Sequence, residues 1–194
     1  GLDDPSSYDA TKSLLMEGEK YTNYAMQTVN YGSHTIKVTT GAGNYYLTDY
    51  EGETYPFTFA QFHMHAPSEH TRDGQYFDME MHFVHVFDSD STKITGLDMD
   101  QVIDNADYAV IGVFFDRQAG GNRNNDFLEQ MNLSTDVTTS GNVTLNNSLA
   151  VSNFLGGLNF DGFYHYDGSF TTPPCTEGVK WAVLNQVQPI SDAQ

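Results

Sequence analysis

The chain has 194 residues, with 8 Lys plus Arg against 26 Asp plus Glu, and a formal net charge of −18. Residues 1–194 are enough for one domain with a sizeable core, and no repeat or linker divides them. A surface this acidic repels phosphate backbones and anionic lipid, which argues against a nucleic-acid or membrane-surface role.

Short stretches of alternating apolar and polar residues dominate the chain, and clusters of Gly, Asn and Asp separate them. Such alternation predicts β-strands. In chain order, the predicted strands cover residues 35–39, 45–48, 57–65, 77–87, 108–115, 163–166 and 179–187, and short helices are predicted over residues 8–17, 126–132 and 149–155. The pattern predicts a mostly β single domain: a central, largely antiparallel twisted sheet with few short peripheral helices.

The longest apolar run covers residues 108–115. It is far shorter than the roughly 20 residues of a membrane-spanning helix, so it predicts a buried strand and no membrane span. No charged-then-apolar leader opens the chain, and we expect any signal peptide to have been removed or to lie outside this sequence.

Three Asn-x-Ser/Thr sequons begin at Asn132, Asn142 and Asn146. Sequons arise by chance in Thr- and Asn-rich stretches, but their clustering favours a glycosylated loop of a secreted protein. We therefore expect a secreted, extracellular or periplasm-like location. The acidity suits a salty or acidic medium, or simply a soluble acidic protein.

Three histidines stand at spacings that a zinc ion can use. His63 and His65 lie two residues apart in one predicted strand, and His82 lies in the next. Alternate side chains of a strand share a face, so His63 and His65 point the same way. If His82 faces them, three neutral imidazoles converge and leave the fourth corner of a tetrahedron open for water. An open corner is typical of a catalytic zinc site rather than a structural one.

Each ligand strand also brings a candidate orienting residue. Gln61 precedes His63 by two positions, and Glu80 precedes His82 by two, so each shares a face with its histidine. A carboxylate or amide oxygen there can hold the free ring N–H of a metal-bound imidazole and fix its tautomer.

A stiff loop follows later in the chain. Pro173 and Pro174 lack backbone donors and restrict the residues before them. We expect Thr171, just upstream, to be held extended with its hydroxyl well placed.

These motifs occur in the order known from one family. They read Gln-Phe-His-Met-His at 61–65, Ser-Glu-His at 68–70, Met-Glu-Met-His-Phe-Val-His at 79–85 and Gly-Ser-Phe-Thr-Thr-Pro-Pro-Cys-Thr-Glu-Gly-Val at 168–179. Over about residues 25–190 the chain resembles an alpha-class carbonic anhydrase, closest to the bacterial and microbial-eukaryote members. The resemblance implies the alpha-carbonic anhydrase fold, a Zn²⁺ cofactor and reversible hydration of carbon dioxide to bicarbonate and a proton.

The resemblance also implies roles for individual residues. His63, His65 and His82 match the zinc ligands. Thr171 matches the gatekeeper that accepts a hydrogen bond from the zinc hydroxide and donates one to Glu69. The remaining pocket residues implied by the resemblance are Thr172, which neighbours the gatekeeper, and the apolar wall of Val84, Val110, Val179 and Trp181.

Two positions depart from the family pattern. Phe170 stands where the family commonly has Leu, and its extra bulk should narrow the pocket mouth. His34 matches the proton shuttle, although the inserted Ser33 precedes it. Of the other histidines, we expect His70 and His85 to be structural, and His165 to be a surface or core residue.

The family's usual N-terminal and C-terminal segments have no counterpart in this sequence. Either the chain is part of a longer protein or its fold is trimmed. Cys175 is the only cysteine, so it is a buried thiol or forms a bridge to another chain or to a cysteine outside this sequence. A second interpretation is therefore a catalytically weak, carbonic anhydrase-like binding or structural subunit of a larger assembly.

Overall fold

A computed structural model describes residues 27–31, 35–39, 44–48, 54–87, 108–131, 141–145, 149, 151–160 and 162–194. The elements in these residues are strands β1 (Gln27–Tyr31), β2 (Ile36–Thr39), β3 (Asn44–Thr48), β4 (Thr54–His65), β5 (Met79–Phe87) and β6 (Tyr108–Phe115), helix α1 (Asp126–Gln130), strand β7 (Gly141–Leu145), helix α2 (Val151–Gly156), and strands β8 (Phe163–Ser169) and β9 (Glu177–Gln188).

The strands form one sheet in the order β7-β1-β2-β4-β5-β6-β9-β8. Strand β3 pairs with residues 54–58 of β4, whereas β2 pairs with residues 61–63. Among the described strands, every pairing is antiparallel except that of β6 with β9. The predicted mostly β, largely antiparallel sheet with few short helices is therefore confirmed.

Each of the seven predicted strands corresponds to an observed one, although the boundaries differ. β4 begins at Thr54, and β5 begins at Met79 rather than at Phe77. Strands β1 and β7 were not predicted from the sequence. Strand β7 contains the sequon at Asn142, which therefore lies in a strand paired with β1 and not in a loop. The predicted helix over 8–17 lies outside the described residues.

A β-bulge in β4 decides which residues face the site. The register against β5 shifts between Phe59 and Gln61. Phe57 and Phe59 therefore face the same core as Phe62 and Met64, although the spacing changes from two residues to three. Without the extra residue, Gln61 would share the face of Phe59.

Apolar side chains cover both faces of the sheet. One face carries the larger core, in which Phe62 and Phe83 stack at 5.4 Å, and helix α1 packs Phe127 and Leu128 against it. Asn125 starts that helix by accepting hydrogen bonds from the N–H groups of Phe127 and Leu128. The other face carries a smaller cluster of Phe77, Val84, Val110, Phe114, Val179, Trp181 and Val183. The candidate site lies beside this smaller cluster. No helix within the described ranges is long and apolar enough to cross a membrane.

Candidate metal centre

The antiparallel register of β4 and β5 brings the three predicted ligands together. His63 pairs directly with His82, while His65 pairs with Glu80. The ring centroids of His63, His65 and His82 lie 4.7–5.2 Å apart, and one ring nitrogen from each lies within 4.8 Å of the others. The side chains of one face therefore converge as the sequence predicted.

Hydrogen bonds fix the tautomers of two of these rings. His63 Nδ1 donates to Gln61 Oε1 at 2.9 Å, which leaves Nε2 available. His82 Nε2 donates to Glu80 Oε1 at 2.8 Å, which leaves Nδ1 available. Gln61 and Glu80 thus lie where the sequence placed them.

Burial favours the neutral form that a metal ligand requires. Burial, together with the neighbouring charges of His82, His65 and Lys37, lowers the pKa of His63 to about 3. Burial also lowers the pKa of His65. The Nε2 atom of His65 is buried and has no hydrogen-bond partner. A set of three ring nitrogens, one of them buried and unpaired, fits a zinc ion.

Glu80 connects the ligand strands to the loop that follows His65. Its Oε2 accepts the backbone N–H groups of Glu69 and His70, both at 2.9 Å, and its Oε1 accepts from His70 Nδ1 at 2.6 Å as well as from His82. Burial alone would raise the pKa of Glu80, but the hydrogen bonds from His70 and His82 outweigh it and hold the pKa well below its usual range. Glu80 is therefore a buried, fully hydrogen-bonded carboxylate.

The next member of this network was not predicted from the sequence. Tyr166 on β8 donates its O–H to His70 Nε2 at 2.5 Å. Burial raises the pKa of Tyr166, and the negative charges of Glu80 and Glu69 raise it further, so the phenol keeps its proton. The Trp181 ring packs against those of His82 and His70, with centroid distances of 4.8 Å and 4.9 Å. Only the pairing of β8 with β9 reveals the approach of Tyr166, because no local spacing indicates it.

The three histidines open into a cavity of about 740 Å³. One wall is polar, and the other carries apolar side chains. The cavity is lined by Thr35, Lys37, Gln61, His63, His65, Glu69, His82, Val84, Val110, Phe170, Thr171, Thr172, Pro173 and Trp181. Val179 is not among these residues, but it lies in the same apolar cluster as Val84, Val110 and Trp181, which line the cavity, so its place on the cavity wall stays a prediction.

Thr171 and Glu69 share this cavity, but no hydrogen bond joins them among the described contacts. The Glu69 carboxylate instead lies 3.4 Å from His65 Nδ1 and 4.0 Å from His82 Nδ1. Thr171 is exposed in the loop after β8. The structure thus brings the two residues to one cavity without the bond that the resemblance implied.

The polar wall includes two residues that sequence reasoning did not single out. Thr35 Oγ1 donates to Met64 O at 2.6 Å, which fastens the start of β2 to β4 between two of the ligands. Lys37 pairs in register with His63. Both residues lie in the predicted strand over residues 35–39, but its pairing with β4 is seen only in the structure.

The other residues singled out from the sequence lie outside the ligand cluster or outside the described residues. His85 is fully buried on the opposite face, 5.2 Å from the Phe59 ring, and burial lowers its pKa to about 3. His70 lies in the Glu80 network, and His165 Nδ1 donates to Trp181 O at 2.8 Å. Cys175 is exposed and unpaired, which excludes the buried thiol. His34 lies outside the described residues.

Comparisons with known proteins agree with this geometry. A family model described as eukaryotic-type carbonic anhydrase matches residues 4–194. The carbonic anhydrases of Pectobacterium carotovorum and Neisseria gonorrhoeae are each 35% identical to this chain, over 161 and 170 residues. These alignments cover 82% and 88% of the chain but 54% and 57% of the relatives, so the chain spans about half the length of the relatives that it matches.

Solved structures show the same similarity. The Photobacterium profundum alpha-carbonic anhydrase has a TM-score of 0.68 and 29% identity, with 94% of this chain and 70% of that chain covered. The alpha-carbonic anhydrase of Thermovibrio ammonificans, solved with the inhibitor sulfanilamide, also has a TM-score of 0.68, with 30% identity and 94% and 69% coverage. This chain belongs to the alpha-carbonic anhydrase family.

Proposed function

We propose that His63, His65 and His82 hold a zinc ion and that the site hydrates carbon dioxide reversibly to bicarbonate and a proton. The observation that carries this proposal is the set of three imidazoles that converge, each with one ring nitrogen available, on a cavity with an apolar wall. A fourth protein ligand is not part of that cluster, which leaves room for a reactant.

Zinc held by three imidazoles supplies hydroxide at neutral pH, and carbonic anhydrases are the reference case for this chemistry. The chain's own residues do the rest. Gln61 accepts a hydrogen bond from Nδ1 of His63, and Glu80 accepts one from Nε2 of His82. These bonds hold the two ligand rings in place. Val84, Val110 and Trp181 offer an apolar surface to carbon dioxide, which carries no charge.

The Thr171 hydroxyl is the group that we assign to orienting the attacking oxygen. It lines the cavity together with the ligands, in a loop that is closed by the hydrogen bond from Phe170 N to Thr176 O. Glu69, on the same cavity, is the acceptor to which that hydroxyl would turn. This hydrogen bond belongs to the proposal, since the described contacts lack it.

The matched relatives bear the name carbonic anhydrase, which supports the proposed activity. The second interpretation, a binding or structural subunit without turnover, draws no support from the described residues because all three imidazoles are present. The proton shuttle at His34, the glycosylated sequons and the secreted location stay predictions.

The test is metal analysis together with a carbon dioxide hydration assay. The wild-type chain should bind one zinc and hydrate carbon dioxide, and His82→Ala should lose both properties. His165→Gln is the matched control, because it replaces a histidine that is hydrogen-bonded outside the ligand cluster, and it should keep its zinc. Stoichiometric zinc in His82→Ala would show that the ligand set is wrong.

A further inference from the structure

The Phe170 ring lines the cavity and is supported on one side by a second ring. Its centroid lies 4.6 Å from that of Tyr108, with the ring planes at 65°. This edge-to-face geometry is a favourable arrangement for two aromatic rings. Tyr108 does not line the cavity. The Tyr108 ring is therefore the packing partner of Phe170 outside the cavity.

Tyr108 has a fixed place at the start of β6. It pairs with Val86 on β5 and with Val179 on β9, so strands hold it on both sides. Within the described contacts its hydroxyl makes no hydrogen bond, and the side chain is half-buried against the smaller apolar cluster. Its contribution at this position is thus the packing of the ring rather than a polar contact.

The backbone around Phe170 is also held. The Phe170 N–H donates to Thr176 O at 3.0 Å, and Trp181 Nε1 donates to Ser169 O at 3.1 Å. With the main chain fixed on either side, a bulky ligand can make room only by turning the Phe170 side chain. Tyr108 occupies space into which that ring would turn.

We propose that the Tyr108–Phe170 ring pair limits the size of the ligands that reach the metal, with Tyr108 as the positioning residue. Small ligands such as carbon dioxide, bicarbonate and thiocyanate pass, whereas aromatic sulfonamides and aryl esters meet the Phe170 ring. The proposal rests on the proposed function, because both classes of ligand are taken to bind at the same zinc site.

The experiment compares Tyr108→Leu, Tyr108→Phe, Phe170→Leu and the double variant Tyr108→Leu/Phe170→Leu, all loaded with zinc. Calorimetry gives the dissociation constants of thiocyanate, of sulfanilamide and of a sulfonamide with two fused aromatic rings. Tyr108→Leu should bind the fused-ring sulfonamide about tenfold more tightly, the scale of a small change in pocket volume. Thiocyanate affinity should not change.

Tyr108→Phe should behave like the wild type, because it keeps the ring. The double variant should match Phe170→Leu, because Tyr108 acts through Phe170. Phe77→Leu is the control for loosening the same apolar cluster: it removes a ring that packs on Phe114 and lies outside the cavity, and it should leave the size preference unchanged. Tyr108→Met is the substitute if Tyr108→Leu does not fold.

Equal changes for thiocyanate and the fused-ring sulfonamide in Tyr108→Leu would overturn the proposal. So would a double variant whose effect is the sum of the single effects. A wild-type chain that binds no zinc refutes the proposed function instead. The ring pair is then tested on the metal-free chain by urea unfolding, where non-additive shifts of the midpoint support the contact and additive shifts refute it.

Discussion

The candidate site joins two regions that are built in opposite ways. The ligand strands β4 and β5 are paired along their length, and Glu80 at their end is 0% exposed and accepts four hydrogen bonds. The loop after β8, which carries Thr171, is exposed from residue 171 to residue 177. It is closed by the bonds from Phe170 N to Thr176 O and from Cys175 N to Thr172 O.

This contrast separates two properties of the site. Metal affinity should depend on the buried strands, because they fix the positions and tautomers of the ligand rings. Under the proposed function, turnover should depend on the loop, because the Thr171 hydroxyl is assigned to orienting a reactant and is not a metal ligand. Measuring bound zinc and reaction rate in the same variants therefore tests whether the two regions contribute independently.

The largest effect in the strand region is expected for Glu80→Gln. The amide keeps the size of the side chain, but its NH₂ group faces hydrogen-bond donors that the carboxylate had satisfied. Changing the hydrogen-bond partner of a metal-bound imidazole costs about 10- to 100-fold in metal affinity. Each buried donor left unpaired also costs about 1–3 kcal/mol of unfolding free energy. Competition with a zinc chelator and urea unfolding measure the two effects.

The matched control is Glu177→Gln, which changes an exposed carboxylate at the start of β9. It should alter neither quantity. A Glu80→Gln chain with wild-type zinc affinity would show that tautomer control by Glu80 is not needed, and the buried region would lose its assigned role.

Thr171→Ala tests the loop side of the comparison. The variant should retain zinc, because Thr171 is not a ligand, while turnover should fall on the order of 10²-fold, the usual cost of removing a positioned hydrogen bond. Thr171→Ser keeps the hydroxyl and should stay near the wild-type rate. Thr176→Ala changes an exposed threonine of the same loop and serves as the control. Loss of zinc in Thr171→Ala would mean that the two regions are coupled.

The strand half of the site was predictable because strand periodicity is a local rule. The positions of His63, His65 and His82 follow from alternation within each strand, and so do those of Gln61 and Glu80. The same rule placed His85 on the opposite face, where it is buried beside Phe59. In the pairing of β4 with β5, alternation fails at the bulge before Gln61, where Phe59 and Phe62 share a core at a spacing of three.

The rest of the site depends on contacts between distant parts of the chain. Tyr166 meets His70 across 96 positions, and Tyr108 on β6 meets Phe170 in the loop after β8. Periodicity gives the face of a residue, but it does not give its neighbours on other strands.

The smallest effect on zinc affinity is expected for a substitution at Gly112, which has no side chain and lies next to the Glu80 carboxylate. Gly112 pairs with His82 on the neighbouring strand. A Cβ at Gly112 would lie 3.0 Å from Glu80 Oε1 and 3.3 Å from a methyl group of Val183. The absence of a side chain at position 112 therefore gives the Glu80 carboxylate its room.

Gly112→Ala should push this carboxylate away from β6 by a few tenths of an ångström, because both neighbours are buried and Val183 can yield little. Overpacking of this size costs about 1–3 kcal/mol of unfolding free energy. It also strains the hydrogen bond from His82 Nε2 to Glu80, which should weaken zinc binding less than Glu80→Gln does.

The control is Gly156→Ala, since a Cβ there would meet no atom within 4 Å. Urea unfolding and chelator competition on both variants measure the effects. If Gly112→Ala destabilises the fold but leaves zinc affinity unchanged, Glu80 tolerates displacement, and the strand region controls the metal through its backbone register rather than through this hydrogen bond.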